Sequence, residues 1–364
     1  MDEFNSIVEI INNALPMVQS GIPAITGGFI TAMFLRGNTR RKEFEKIKLG
    51  KINEAINDLV DSRELTLTEL MKCRNLLKIA EMADEEYAKD NRKNKTERST
   101  FDFDWFLRFF ESAGNISNKD MQQLWAKVLN EEYKKPNSHS YRTLEKLYHL
   151  SKNEASLFKN CADFRIETPY NEVFVLSSEE TFSKNDSNIN LDEFIVDEAS
   201  DWIQIITVAY QLSHEKLTLL AECGILSSIL VTSHLSIEKG ESTKLFNSTA
   251  IIDISLSEHC KYEELTFDIN GFRFTDSAIQ LFPIIESKPK IEFVLDVARL
   301  IEHYNNPDFI VRVYEVIDID EDGCYVYNDD YDILHSKKYS ECTELPDLNK
   351  LDQEIKNGGA CTWK

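Results

Sequence analysis

Ile116-Ser-Asn-Lys-Asp-Met-Gln-Gln-Leu-Trp125-Ala-Lys-Val-Leu129-Asn-Glu131 reads as a capped amphipathic helix and sets the fold class of the first half of the chain. Met121, Leu124, Trp125, Val128 and Leu129 recur three and four residues apart, which puts them on one face of a 3.6-residue helix. Ser117-Asn-Lys-Asp120 supplies short polar side chains for the free N–H groups of the first turn. Lys134-Lys-Pro136 ends the helix, because proline lacks the amide proton and clashes with the preceding turn.

The same pattern extends in both directions. Upstream, Phe101-Asp-Phe-Asp-Trp-Phe-Leu-Arg-Phe-Phe110 is an aromatic helix. Base-stacking platforms interleave rings with several cations, and only Arg108 is present, so these rings are read as a packed core. Downstream, Tyr141 to Leu150 begins another helix, and Ser151-Lys-Asn-Glu154 has the spacing of a capping box for the next, which carries Ala155, Phe158 and Cys161. Asp90 to Thr100 has no apolar residue and marks a solvated linker. Before it, Phe44 to Leu59 and Leu70 to Tyr87 each carry a helical stripe, the second behind a Thr66/Glu69 capping box, and together they predict a helical hairpin over 39–89.

Several of these runs, taken together, resemble a known pattern: Asp104-Trp-Phe-Leu-Arg-Phe-Phe110, the Leu-Trp-Ala-x-x-Leu helix, Lys135-Pro136, Arg142-Thr-Leu144 and Leu150-Ser-Lys-Asn-Glu-Ala155. The likeness is to a family of bacterial domains of unknown function, similar in turn to the Abi-alpha abortive-infection proteins. It covers Phe103 to Phe164, with Trp105, Leu124, Trp125 and Leu129 as its motif core. It implies phage defence by association and brings no catalytic residues. Trp125 is read as a core anchor whose indole N–H needs one acceptor.

The N-terminus is of another kind. From Ala14 to Leu35 no residue is charged, a length that as one helix roughly matches a hydrocarbon core of about 30 Å. Pro16 and Pro23 interrupt it, while Gly21, Ile22, Ile25, Gly27, Gly28, Phe29 and Phe34 form the candidate membrane segment. Arg36, Arg40, Arg41 and Lys42 lead the basic flank that the positive-inside tendency would keep in the cytoplasm. The competing reading is a buried or partner-bound hydrophobic hairpin. This cluster is the one concentration of positive charge in a chain of net charge -22, so broad nucleic-acid binding is disfavoured.

In the C-terminal half, Ser177 to Asn190 reads as an exposed loop, and Trp202, Ile205, Ile206, Ala209 and Tyr210 as a helical stripe. A helix ending at Gly224, then strands Ile251 to Leu256 and Leu265 to Phe274, is similar to a winged helix, though Lys216 alone would face phosphate. A helix Phe293 to Tyr304 precedes strands Ile310 to Ile317 and Tyr325 to Tyr327. Between those strands Asp318-Ile-Asp-Glu-Asp-Gly323 imitates a calcium loop but is better read as a hairpin turn.

The fold expected is mainly α with a smaller α+β C-terminal part: a helical bundle followed by winged-helix-like and αβ hairpin elements. The organisation is 1–38 hydrophobic segment, 39–89 helical hairpin, 90–100 linker, 101–165 helical domain, 166–290 winged-helix-like region, 291–345 α+β region and 346–364 tail. Phosphate-binding, dinucleotide-binding, nucleophile-elbow and zinc-protease motifs are absent from the sequence. The seven cysteines (Cys73, Cys161, Cys223, Cys260, Cys324, Cys342, Cys361) form no CxxC pair and suit free thiols. No catalytic residue, cofactor or metal is expected. The function expected is a non-enzymatic antiphage effector or sensor on the cytoplasmic side of the inner membrane, with lipid, a homo-oligomer and a phage or host protein trigger as partners. The alternatives are a soluble winged-helix-containing protein-interaction or regulatory module, and an unrecognised nuclease or hydrolase.

Overall fold

The computed structural model describes residues 67–90, 102–176, 182–185, 210, 212–305, 308–320 and 324–336. The chain divides into two compact units, 1–148 and 149–364. The first is helical where described, and the second is a mixed α/β unit built on an antiparallel sheet. The sheet-bearing unit is the larger of the two, where the sequence suggested the smaller.

In the helical unit, α1 (Leu67–Asp90), α2 (Phe103–Ala113), α3 (Lys119–Lys134) and α4 (Tyr141–His149) follow one another, and α1 packs on both α2 and α3. Asp102 caps α2 by accepting from the backbone N–H of Asp104 and Trp105. The cap of α3 is Asn118, whose side chain accepts from Asp120 and Met121. Trp105, Phe106, Phe109, Trp125 and Leu129 are buried, while Leu124 is half-buried. Trp105 stacks on Phe109 at 5.3 Å, and Phe109 meets Trp125 at 5.2 Å. Each such buried side chain contributes roughly 1.5–3 kcal/mol of burial. Asn75 and Gln122 add a buried polar tie: Asn75 donates to the Gly114 carbonyl at 2.9 Å, and Gln122 donates to Asn75 and to the Ile116 carbonyl. The indole N–H of Trp105 donates to the His139 carbonyl at 2.7 Å. That of Trp125, expected to need an acceptor, has none among the described residues.

The α/β unit opens with α5 (Lys152–Ala162), closed by the expected capping box between Ser151 and Glu154. The strands are β1 (Arg165–Glu167), β2 (Val173–Leu176), β3 (Phe182–Asn185), β4 (Val231–Glu238), β5 (Ser242–Phe246), β6 (Ala250–Leu256), β7 (Glu264–Arg273), β8 (Phe309–Ile319) and β9 (Tyr325–Tyr327). They form a sheet in the order β3-β7-β2-β1-β5-β6-β8-β9, with β4 also paired to β7. Between them lie α6 (His214–Glu222), two short helices α7 (Asp276–Ile279) and α8 (Phe282–Ile285), and α9 (Ile291–Asn305). Helix α6 ends as predicted, with Gly224 at φ 71 beyond the cap.

Pairing explains which strand faces are buried. Ile252, Ile254 and Leu256 lie opposite Val313, Val311 and Phe309, and all six are buried. Helix α9 packs on β6 and β8 with Phe293, Val294, Val297 and Ile301 in the core, so it covers this face. Gly271 meets a different demand: a Cβ there would stand 2.5 Å from the Val175 carbonyl oxygen, where β2 and β7 approach closely.

Three expectations are corrected. A winged helix pairs its wing strands with each other, yet β6 pairs with β5 and β8 while β7 pairs with β2, β3 and β4. Part of the loop predicted over Ser177 to Asn190 is β3, recruited by four pairings to β7 that outweigh its polar composition. No described helix is long and apolar enough to cross a membrane, so the described structure gives no support to an effector or sensor at the inner membrane. The longest, α1, has 24 residues but carries Lys72, Arg74, Lys78, Glu81 and Glu85. The segment with Gly21, Ile22, Ile25, Gly27, Gly28, Phe29 and Phe34, its flank Arg36, Arg40, Arg41 and Lys42, the Phe44 to Leu59 half of the 39–89 hairpin and all of the 90–100 linker except Asp90, which ends α1, lie outside the described residues, as do Trp202 to Ala209 and the tail.

Candidate functional site

The sheet face opposite α9 is chemically distinct. Antiparallel register places Lys244 and Phe246 of β5 across from Asp253 and Ile251 of β6, and these across from Arg312 and Tyr314 of β8. Residues two apart share a face, so all six lie on one surface, joined at its outer end by β9. Tyr325 stacks on Phe246 at 6.1 Å and Tyr327 on Tyr314 at 5.7 Å. Ile251 and Tyr314 are buried beneath this layer, while Phe246, Tyr325 and Tyr327 keep part of their rings in solvent. Ile310 and Ile319 are exposed at 37% and 48%.

Polar tethers fix the rings. Tyr325 donates its hydroxyl to Glu167 at 3.1 Å, and burial followed by the Glu167 charge pushes its pKa upward, so it stays a donor at neutral pH. Lys244 sits 5.6 Å from the Tyr327 ring centre and 3.5 Å from Asp253. Its hydrogen bond with Tyr327, helped by the Asp253 charge, raises its pKa and keeps it cationic. Arg165, buried at the far end of the same layer, donates to Glu167, the Ala162 carbonyl and Ser287. A rigid surface of tyrosine, phenylalanine and paired charges is the composition that well-packed protein interfaces favour.

A pocket of about 340 Å³ adjoins the first half of β8, lined by Ser257, His259, Glu302, Arg312, Asp332 and His335. His335 bonds Asp332 through Nδ1 at 2.8 Å and Glu302 through Nε2 at 3.0 Å. The Asp332 bond, then the Glu302 charge, raise its pKa against the opposing effect of burial. The two carboxylates favour the protonated ring, which donates through both nitrogens and in that form has no lone pair with which to act as a base. Ser257 accepts from the backbone of His259, as a turn-stabilising hydroxyl does. The segment carrying His335 is held along β8: Ile333 donates to the Val313 carbonyl, and Asp332 accepts from Val313 and Leu334.

In the helical unit a second polar cluster surrounds Glu132. Its carboxylate accepts from the backbone N–H of Asn137 at 2.5 Å, from the Ser138 hydroxyl at 3.0 Å and from the backbone N–H of His139 at 3.0 Å. Burial alone would raise its pKa, but the bonds from His139, Asn137 and Ser138 prevail and lower it. Glu132 and His139 are 2% and 3% exposed, and their bonds pin the turn after α3.

The motif-core residues Trp105, Trp125 and Leu129 lie together in the helical core, with Leu124 at its margin. The sequence reading missed Phe246, Tyr314, Tyr325 and Tyr327 as a group, because they lie on three strands whose register no local pattern encodes. The alternation in Tyr325-Val-Tyr327 was the one available signal. His259 is exposed and Cys260 buried, so the two side chains point apart from the turn that carries them. Among the described residues no group of His, Cys, Asp and Glu has metal-site geometry.

Residues 61–298 match a protein family described as a protein of unknown function, DUF2806. No curated protein and no solved structure gives a significant match. The match supports a domain-of-unknown-function family and gives no support to a specific likeness to Abi-alpha. The antiphage, abortive-infection reading is therefore corrected: the family carries no such description, and its match begins after the N-terminal segment on which the membrane role rested.

Proposed function

We propose that this chain, which belongs to the DUF2806 family of proteins of unknown function, is a non-enzymatic protein-interaction module whose docking surface is the open face of the β5-β6-β8-β9 sheet. One observation carries the reading: stacked, tethered rings of Phe246, Tyr314, Tyr325 and Tyr327 on the face opposite α9, bordered by exposed Ile310, Arg312 and Ile319. Rings held in place lose little conformational entropy on binding, so the area they bury converts efficiently into affinity. Two further features favour binding over catalysis: the doubly engaged imidazole of His335 and the interior position of His139.

The test is co-purification of the full-length chain from its native host beside the double variant Ile310→Asp/Ile319→Asp. Both positions are exposed, so the variant should keep the wild-type unfolding midpoint. A partner recovered in stoichiometric amount with the wild type and lost from the variant is the expected result. The same partner recovered equally with both would overturn the assignment of the face.

A further inference from the structure

We infer that the pocket beside the first half of β8 is a site for an extended peptide segment of a partner protein, which adds to the outer edge of β8 at Val311. The inference goes beyond the open-face reading and rests on main-chain groups that play no part in it.

Register fixes which way the Val311 backbone points. Val316 donates to the Thr249 carbonyl and Ser257 to the Asp308 carbonyl, so even-numbered residues of β8 exchange hydrogen bonds with odd-numbered residues of β6. The odd-numbered residues of β8 therefore turn their N–H and C=O groups to the outer edge. Val313 does so, donating to Asp332 Oδ1 at 3.0 Å and accepting from the Ile333 N–H at 2.8 Å. In the same antiparallel register the next bonds would join Val311 to His335, two residues further along each chain. The chain turns away first: the Ser336 N–H and hydroxyl both donate to the Ile333 carbonyl, at 3.2 and 2.8 Å. Bonds from the His335 imidazole to Asp332 and Glu302 hold that turn in place.

The N–H and C=O of Val311 consequently have no partner among the described residues, although Val311 is only 1% exposed. More than about nine in ten buried main-chain groups are paired. A donor and an acceptor left together beside a cavity of about 340 Å³ therefore mark a binding position. One residue of an extended peptide satisfies both groups at once, as strand addition does.

Alternation then sets the side chains the edge selects. A residue opposite Val311 points its side chain to the α9 side, where Phe309 and Val311 line the pocket with apolar surface. Its neighbours point to the open face, where Arg312 lines the same pocket. Arg312 is exposed and forms no ion pair among the described residues, so a carboxylate on a neighbouring residue complements it. The segment is thus a β-branched residue next to an acidic one.

The test uses the full-length chain with isotopically labelled valine and the peptide acetyl-Thr-Val-Glu-Val-Thr-amide, followed by NMR. The Val311 amide is assigned by its loss in Val311→Ile. Titration should move that amide proton downfield, as a new hydrogen bond does, and leave the Val128 amide of α3 in place. N-methylation of both peptide valines removes the donors that face β8 and should weaken binding at least about tenfold, whereas N-methylation of the glutamate, whose N–H faces away, should change it less than about twofold. Arg312→Gln should cost about two- to fivefold. A Val311 amide that the peptide does not move, or equal losses from the two N-methyl peptides, would overturn the inference. So would a Val311 amide whose shift and temperature dependence already mark a hydrogen bond before peptide is added, because the chain itself or a second copy then fills the position. Failure of the open face in its co-purification test leaves these outcomes unchanged, so the two readings fail separately.

Discussion

Replacing Glu132 by alanine should loosen the helical unit by an amount that the geometry allows one to work out. The carboxylate accepts three hydrogen bonds. The amide of Asn137, an exposed residue, gains water when the acceptor is removed, and the Ser138 hydroxyl can rotate to His139 Nδ1, already 2.9 Å away. The amide of His139 stays buried and unpaired. That orphan costs about 1–3 kcal/mol, and the two lost charge-assisted bonds bring the total to about 2–4 kcal/mol. Glu132→Gln keeps one acceptor oxygen for Asn137 but turns an NH2 group toward the His139 amide, so its cost should be intermediate, about 1–2 kcal/mol. Urea unfolding followed by tryptophan emission is the assay, because Trp105 donates to the carbonyl of His139 and reports on this turn. The pH dependence has a fixed sign. A carboxyl whose folded pKa lies below its ordinary value contributes stability above that value and loses it as pH falls through the folded pKa. Wild type should therefore lose stability relative to Glu132→Ala below about pH 4. An alanine variant within about 0.5 kcal/mol of wild type at neutral pH would refute the reasoning.

Three further outcomes follow from the geometry. Gly271→Ala places a methyl group against the Val175 carbonyl and should destabilise the α/β unit by about 1–3 kcal/mol or more, read as a lowered thermal midpoint. His335 has a raised pKa, so its stabilisation of the 331–336 segment is complete below its unfolded value and fades as pH rises through the folded one. Exchange of the Ile333 amide, corrected for intrinsic base catalysis, should accelerate across that rise, whereas His335→Ala should exchange fast throughout. Of Cys161, Cys223, Cys260 and Cys324, exposed Cys324 should alkylate first and Cys161 last, since burial pushes the Cys161 thiol up. Equal labelling rates by mass spectrometry would contradict this.

The helical half was legible because its signals are local. Asn118 and Ser151 cap helices within a residue of where the polar spacing pointed, and Trp125 and Leu129 fall in the core at helical period. The sheet was less legible because pairing is non-local. Val231-Thr-Ser-His-Leu-Ser-Ile-Glu238 does alternate, with Ser233, Leu235 and Ile237 inward, but its partner β7 lies some thirty residues on. Phe182 to Asn185 lacks any alternation that would mark a strand, and its place is set by β7. The aromatic face could not be read at all without register: Phe246, Tyr314 and Tyr325 are far apart in sequence and come together only through the β5-β6-β8-β9 pairing. The charge-free N-terminal stretch had the opposite defect, a strong local signal whose length suits a bilayer but equally suits burial against protein.

The claim that the open aromatic face engages another protein is tested most directly by installing a photo-crosslinking amino acid at Ile310, Ile319 or, as a control of similar exposure on α6, Leu219, in living cells. Illumination should give one discrete adduct with another protein from Ile310 and Ile319 and none from Leu219. Adducts of equal yield at all three positions, or none at the sheet face, would contradict it.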